Sequence, residues 1–124
     1  MNDKEIFELC DIIRQTSFDL HKFLRNGHLE KVYENGLAHR LRKAGLKVEQ
    51  QHPLKVFDED GTILGEYFAD LLIESELIIE LKVGKAIVDE HLSQVFGYLR
   101  ATGQWHGLLI NFGLQQIQFK KLVL

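Results

Sequence analysis

The chain has 124 residues, a net charge of −3 at pH 7, and is 45% hydrophobic and 27% charged. That length fits one domain spanning 1–124, and a chain of this size buries about two thirds of its unfolded surface, enough for a core without staples. Ten glycines against a single proline exclude a collagen-like or disordered chain, and the mild acidity excludes a domain coated in positive charge but not one with a local basic patch. Cys10 is the only cysteine, so no internal disulfide forms and a reducing compartment is expected. The N-terminal MNDKEIFELCDIIRQ alternates charged with apolar residues, unlike a signal peptide. No stretch approaches the ~18 apolar residues of a membrane span. The expectation is a cytoplasmic protein with no membrane contact.

In chain order, residues 3–24 carry Ile6, Leu9, Cys10, Ile13, Phe18, Leu20 and Leu24 at helical spacing, with Asn2 or Asp3 available as N-cap. Asn26-Gly27 closes this N-terminal extension (residues 1–26), since glycine accepts the left-handed conformation. A second helix is predicted from Leu29 to Ala44 on Val32, Tyr33, Leu37, Leu41 and Ala44. Leu46–Gln51 and Leu54–Asp58 read as two short strands, followed by the turn Asp58-Glu59-Asp60-Gly61. Ile63–Ile73 and Leu77–Val83 read as longer strands around the polar Glu74-Ser75-Glu76. Val88–Ala101 returns to helical spacing on Val88, Leu92, Val95, Phe96 and Leu99. Gly107–Phe112 suits a strand buried on both faces, and residues 115–123 suit a last, edge-like strand. The predicted class is α/β, with a mixed central sheet flanked by helices, because the hairpin-length connections make neighbours antiparallel.

Three acids stand where an ordinary core would place something apolar. Asp70 interrupts Tyr67-Phe68-Ala69-Asp70-Leu71-Leu72-Ile73, and Glu80 interrupts Leu77-Ile78-Ile79-Glu80-Leu81. Aspartate is depleted in strands, and a buried charge is expensive unless paired or metal-bound. Glu80 and Lys82 are two apart and share a strand face. Asp70 joins them only if the loop around Ser75 has an odd length, since a slip of one residue moves it to the other face. The third acid, Glu30, falls near the Leu37–Leu41 stripe of the second helix. Glu34 lies one turn on and somewhat further round, so Glu30 is the better candidate.

Such an arrangement suits metal-assisted phosphodiester hydrolysis. Mg²⁺ or Mn²⁺ prefers carboxylate, carbonyl and water oxygens, so Asp70 and Glu80 are the expected metal ligands, with the Leu81 carbonyl as an additional one. The ion polarises the phosphate and lowers the pKa of a bound water. Lys82 orients or helps deprotonate that water and stabilises transition-state charge, while Glu30 completes the metal site directly or through water. On the third helix His91, Gln94 and Tyr98 flank the apolar stripe. Gln94 and Tyr98 are a turn apart and can contact a nucleic-acid backbone or hold the lysine.

The motifs Gly27-x-x-Glu30-x-x-Tyr33, Gly65-Glu66-Tyr67-Phe68-Ala69-Asp70, Ile79-Glu80-Leu81-Lys82, Gln94-x-x-x-Tyr98 and Leu108-Leu109-Ile110-Asn111-Phe112-Gly113 follow one another in this order. Over residues 20–124 the chain resembles the GxxExxY protein family of the PD-(D/E)XK nuclease superfamily. Asp, Glu-x-Lys alone is a weak signature; its order with the flanking motifs is far more specific. The resemblance implies a restriction-endonuclease-like α-β-β-β-α-β core, to which this chain adds an N-terminal helix and a C-terminal strand. It implies metal ligation by Asp70 and Glu80, a catalytic role for Lys82, supporting roles for Glu30 and Gln94, and places Tyr98 in an exonuclease-type helix motif. Ala69 stands where the superfamily motif has its proline, and Phe68 where relatives often carry a basic residue.

Simpler readings compete at each position. Glu30 also suits a first-turn acid favoured by the helix dipole. Gln94 and Tyr98 also suit a semi-exposed flank, and His91 suits a surface histidine better than a metal ligand. His28, His39, His52 and His106 lack paired ligand spacing, which argues against zinc. Cys10 reads as core. His39-Arg40-Leu41-Arg42-Lys43, with Lys47, reads as a solvated helix face before a phosphate-contacting patch. Trp105 reads as rim packing before base stacking. The leading expectation is a Mg²⁺- or Mn²⁺-dependent nuclease acting on nucleic acid, DNA before RNA. The alternative is a catalytically silent module of the same fold that binds nucleic acid or a protein partner. A third is a homodimer whose two sites cut two strands, with the first helix and the 115–123 strand as contact surfaces.

Overall fold

The computed structural model describes residues 1–104 and 106–124, so the expectation for Trp105 lies outside the described residues. Three helices and five strands follow in the order α1 (Asp3–Leu24), α2 (Glu30–Lys43), β1 (Val48–Phe57), β2 (Ile63–Ile73), β3 (Leu77–Lys82), α3 (Asp89–Thr102), β4 (His106–Asn111) and β5 (Gln118–Val123). The strands form one sheet in the order β1-β2-β3-β4-β5. All neighbours are antiparallel except β3 and β4, which run parallel because α3 carries the chain back between them. This is the mixed α/β sheet expected of a restriction-endonuclease-like core, with α1 and β5 added at its ends.

Period-two alternation in the central strands divides the interior into two layers. Leu77, Ile79 and Leu81 of β3 and Leu108 and Ile110 of β4 pack under α1 and α2, against Ile6, Ile13, Tyr33, Leu37 and Leu41. Ile78 and Leu109 face the opposite way, toward Val95, Tyr98 and Leu99 of α3. Cys10 lies buried in the first layer. Asn2 caps α1: its side chain accepts from the Glu5 N–H at 2.8 Å, and the Glu5 carboxylate accepts from the Asn2 N–H at 3.3 Å. Tyr33 stacks on Phe112 with ring centroids 4.8 Å apart and donates its hydroxyl to the Arg25 carbonyl, which pins the start of α2 over the end of β4.

Several expected stripes are redrawn. Phe18, Val32, Ala44 and Val88 are exposed. α1 has more apolar residues than one face can bury, so Phe18 leans on Phe119 at 5.2 Å while Ser17 and His21 take interior positions. His21 Nε2 satisfies itself on the Leu114 carbonyl at 2.9 Å. Val32 falls on the outer side of α2, and Ala44 and Val88 are terminal cap residues. The two short strands predicted between 46 and 58 are a single strand, β1, whose polar stretch Glu49–His52 remains paired with β2 on either side of Gln51.

Two contacts fix the carboxyl ends of β3 and β4. The buried Asn111 accepts from the N–H groups of Gly84 (3.1 Å) and Gly113 (2.9 Å) through Oδ1, and donates Nδ2 to the Gly84 carbonyl at 3.0 Å. Gly113 runs so close to the turn after β3 that an added Cβ would lie 2.5 Å from the Gly84 nitrogen, so no side chain fits there.

Candidate active site

The β2–β3 hairpin sets the register. The Glu76 N–H donates to the Ile73 carbonyl at 2.9 Å, and Glu74 and Ser75 both have positive φ (52° and 56°), the signature of a type I′ turn. Ile73 pairs with Leu77, so the loop has the odd length that the convergence of Asp70 with Glu80 requires. The ladder runs from there to Leu71 and Ile79. One step further, side chains replace the backbone acceptors: the Asp70 N–H donates to Glu80 Oε1 at 2.9 Å, and the Leu81 N–H donates to Asp70 Oδ2 at 2.8 Å. The two carboxylates are thereby held against each other's strands.

Glu80 is only 3% exposed, and its carboxyl is pushed up to about 8. Burial is the main cause and the Asp70 charge adds to it; the Asp70 N–H and Lys82 pull the other way. Asp70, half-buried, is also raised by burial, against the Leu81 N–H and Gln51. Glu30, half-buried at the first turn of α2, is raised by burial and then by the Asp70 charge, with Lys82 opposing. Glu30, Asp70, Glu80 and Lys82 therefore share one electrostatic neighbourhood, with three acids facing one amine. Lys82 makes no salt bridge among the described residues.

α3 contributes Tyr98, which lies buried on the apolar stripe itself rather than on its flank. Burial, then the charge of Glu80, pushes its hydroxyl up to about 12. Gln94, exposed one turn earlier, donates Nε2 to the Tyr98 hydroxyl at 2.6 Å, and the Tyr67 ring lies 5.6 Å from that of Tyr98. His91 sits at the start of α3, where its Nδ1 accepts from the Val88 N–H at 3.3 Å.

Two residues have more prominent positions than the sequence suggests. Glu34 is more deeply buried than Glu30, at 3% exposure. Its Oε2 accepts from Lys31 Nζ and Gln50 Nε2, each at 2.8 Å, and its Oε1 from Gln51 Nε2 at 2.6 Å. Gln51 was not singled out in the sequence. It has φ of 52° within β1, and its Nε2 reaches Asp70 Oδ1 at 3.1 Å as well as Glu34. The available signal was the run of polar residues Glu49-Gln50-Gln51-His52 inside an otherwise strand-like segment.

The family model of the PD-(D/E)XK nuclease superfamily matches residues 7–122. The chain belongs to this superfamily. Among solved structures, the crystal structure of SSO0001 is similar to it, with a TM-score of 0.60 and 19% identity over 75% of this chain. The match covers 48% of SSO0001, so this chain spans about half of that protein's length, and the likeness is one of fold. No curated protein matches.

Superfamily membership brings a nuclease-like domain, and nucleases of this kind generally use divalent metal ions. Among the described residues no three His, Cys, Asp or Glu side chains form a ready-made metal cage. The donors present nonetheless fit a hard cation. Mg²⁺ usually keeps several waters and is bound through one or two carboxylates together with substrate phosphate, rather than by an all-protein cage. Asp70 and Glu80 are such a pair, and mutual repulsion among Asp70, Glu80 and Glu30 is the kind of charge imbalance a cation relieves. Among the described residues no helix is long and apolar enough to cross a membrane.

Proposed function

We propose that this PD-(D/E)XK domain is a divalent-metal-dependent nuclease that hydrolyses phosphodiester bonds in nucleic acid, with DNA as its preferred substrate. The observation that carries the reading is the reciprocal pairing of Asp70 and Glu80 across the β2–β3 hairpin, with Lys82 two residues on. The Gly27-x-x-Glu30-x-x-Tyr33 arrangement at the start of α2 supports a place in the GxxExxY family.

In this reading Asp70 and Glu80 hold Mg²⁺ or Mn²⁺, with the Leu81 carbonyl and Glu30 as further oxygen donors. The ion supplies Lewis-acid polarisation of the scissile phosphate and a more acidic water. A cation held there would need Glu80 in its ionised form, and burial, then the Asp70 charge, otherwise push its carboxyl up to about 8. Lys82, without a salt bridge among the described residues, turns its ammonium toward the phosphate oxygens and stabilises their developing charge. Gln94 holds the Tyr98 hydroxyl at the α3 side of the site, where both line the approach of the substrate backbone. His91, engaged in the α3 cap, contributes at the substrate rim.

The test is Mg²⁺- or Mn²⁺-dependent cleavage of single- and double-stranded DNA, and of RNA, by the wild-type chain. Asp70→Ala and Lys82→Ala are each expected to lower kcat by about 10²–10³-fold or more, the scale of losing one preorganised transition-state contact. Cleavage that survives both substitutions would refute the site. Nucleic-acid binding without turnover and insensitive to metal would favour a silent binding module instead.

A further inference from the structure

The metal-site reading leaves one residue unexplained. Gln51 is a non-glycine residue in the left-handed region, in the middle of a strand, where such backbone is uncommon and strained. The β1–β2 register would place Gln51 opposite Asp70, yet pairing is recorded at Gln50–Leu71 and His52–Ala69 and skips that step. The alternation of both strands breaks there. Val48 and Leu54, an even number of residues apart, pack into opposite layers of the core. Ala69 and Leu72, an odd number apart, pack into the same one. Strain of this kind persists where surrounding contacts over-determine it.

Those contacts are polar and converge on one amide. Gln51 Nε2 donates to Glu34 Oε1 at 2.6 Å and to Asp70 Oδ1 at 3.1 Å. Asp70 Oδ2 is already fixed by the Leu81 N–H, so Gln51 is what sets the rotation of the carboxylate about its own axis. Glu34 is suited to anchor Gln51 rather than to bind a cation. It is buried, both of its oxygens are occupied, and Lys31 balances its charge.

Resting on the metal-site reading, we infer that Gln51 is a positioning residue: its carboxamide, anchored on Glu34 of α2, orients Asp70 toward the cation it shares with Glu80. The kink in β1 exists to deliver that amide. A ligating carboxylate held by a neighbouring hydrogen bond binds metal more tightly than a free one, and losing such a partner typically costs about 10–100-fold in affinity.

Gln51→Gly separates the amide from the kink, because glycine adopts positive φ without strain. Mn²⁺ binding followed by electron paramagnetic resonance is expected to weaken by about 10–100-fold with an altered bound-ion spectrum. With DNA as substrate, kcat falls and KM stays near the wild-type value. Glu34→Ala, which frees Gln51, should weaken Mn²⁺ binding similarly. Glu34→Gln, which keeps an oxygen acceptor for the Gln51 amide, should recover most of the affinity. Wild-type Mn²⁺ affinity and spectrum in both Gln51→Gly and Glu34→Ala would overturn this role while leaving the metal site standing. A wild-type chain that binds no Mn²⁺ would overturn the metal-site reading and this inference with it.

Discussion

The two halves of β2 share one strand but differ in environment. Leu71, Leu72 and Ile73 pair with β1 on one side and β3 on the other and are buried. Ile63, Tyr67 and Phe68 pair with β1 alone, Leu64 lies where that register shifts, and all four are about half exposed or more. Asp70 stands at the boundary, as the first residue whose N–H finds a side chain instead of a backbone acceptor on β3. The contrast teaches how a sheet accommodates ionisable groups. Inside a continuous ladder every backbone group is taken and a carboxylate would be stranded; where two strands part, their N–H groups become free and carboxylates can satisfy them. The acids are tolerated there because the β2–β3 ladder is ending.

Substitutions in the two halves should separate them sharply. Leu71→Ala, in the fully paired half, is expected to lower unfolding free energy by about 2–5 kcal/mol in chemical denaturation. At the boundary, stability should depend on pH. Burial, then the Asp70 charge, pushes the Glu80 carboxyl up to about 8 in the fold against 4.5 in the unfolded chain, with the Asp70 N–H and Lys82 opposing. Between those values the folded state holds more protons, so stability is greatest on the acid side and declines as pH rises, by at most about 1.4 kcal/mol per pH unit. Glu80→Gln should flatten that slope in metal-free protein, and an equal slope in wild type and variant would place the titration elsewhere. Gly113→Ala, which forces the turn after β3 away from β4, should destabilise by about 1–3 kcal/mol. Leu64→Ser, in the half without a second partner, should change stability by no more than about 0.5 kcal/mol.

Much of this arrangement is legible in the sequence because strand geometry is binary. Once Ile63–Ile73 and Leu77–Lys82 are strands, the loop length alone decides whether Asp70 meets Glu80, and Glu74-Ser75-Glu76 decides it. Helix faces are read less sharply. Glu34 lies only a turn beyond Glu30, and what distinguishes them is which donors wait nearby: Gln50 and Gln51 come from β1, and nothing in α2 announces them. Tyr98 is placed on the flank by spacing but buried by its neighbours, since a tyrosine hydroxyl can enter a core when Gln94 supplies a partner. Gln51 escapes altogether, because a left-handed glutamine contradicts both strand propensity and turn chemistry. Only tertiary contacts make it stable there.

The stacking of Tyr33 on Phe112 reaches beyond packing. It clamps the rotation of α2 about its own axis, with Tyr33 serving as the key that locks Glu30 at one compass bearing. Adding or deleting a single residue between the acid and the aromatic would swing the carboxylate by about 100° and aim it into solvent or into the helix pair. The interval between those two side chains is thus a mechanical dimension of the protein: the exposed Val32 can change its identity, but the number of residues between them cannot change.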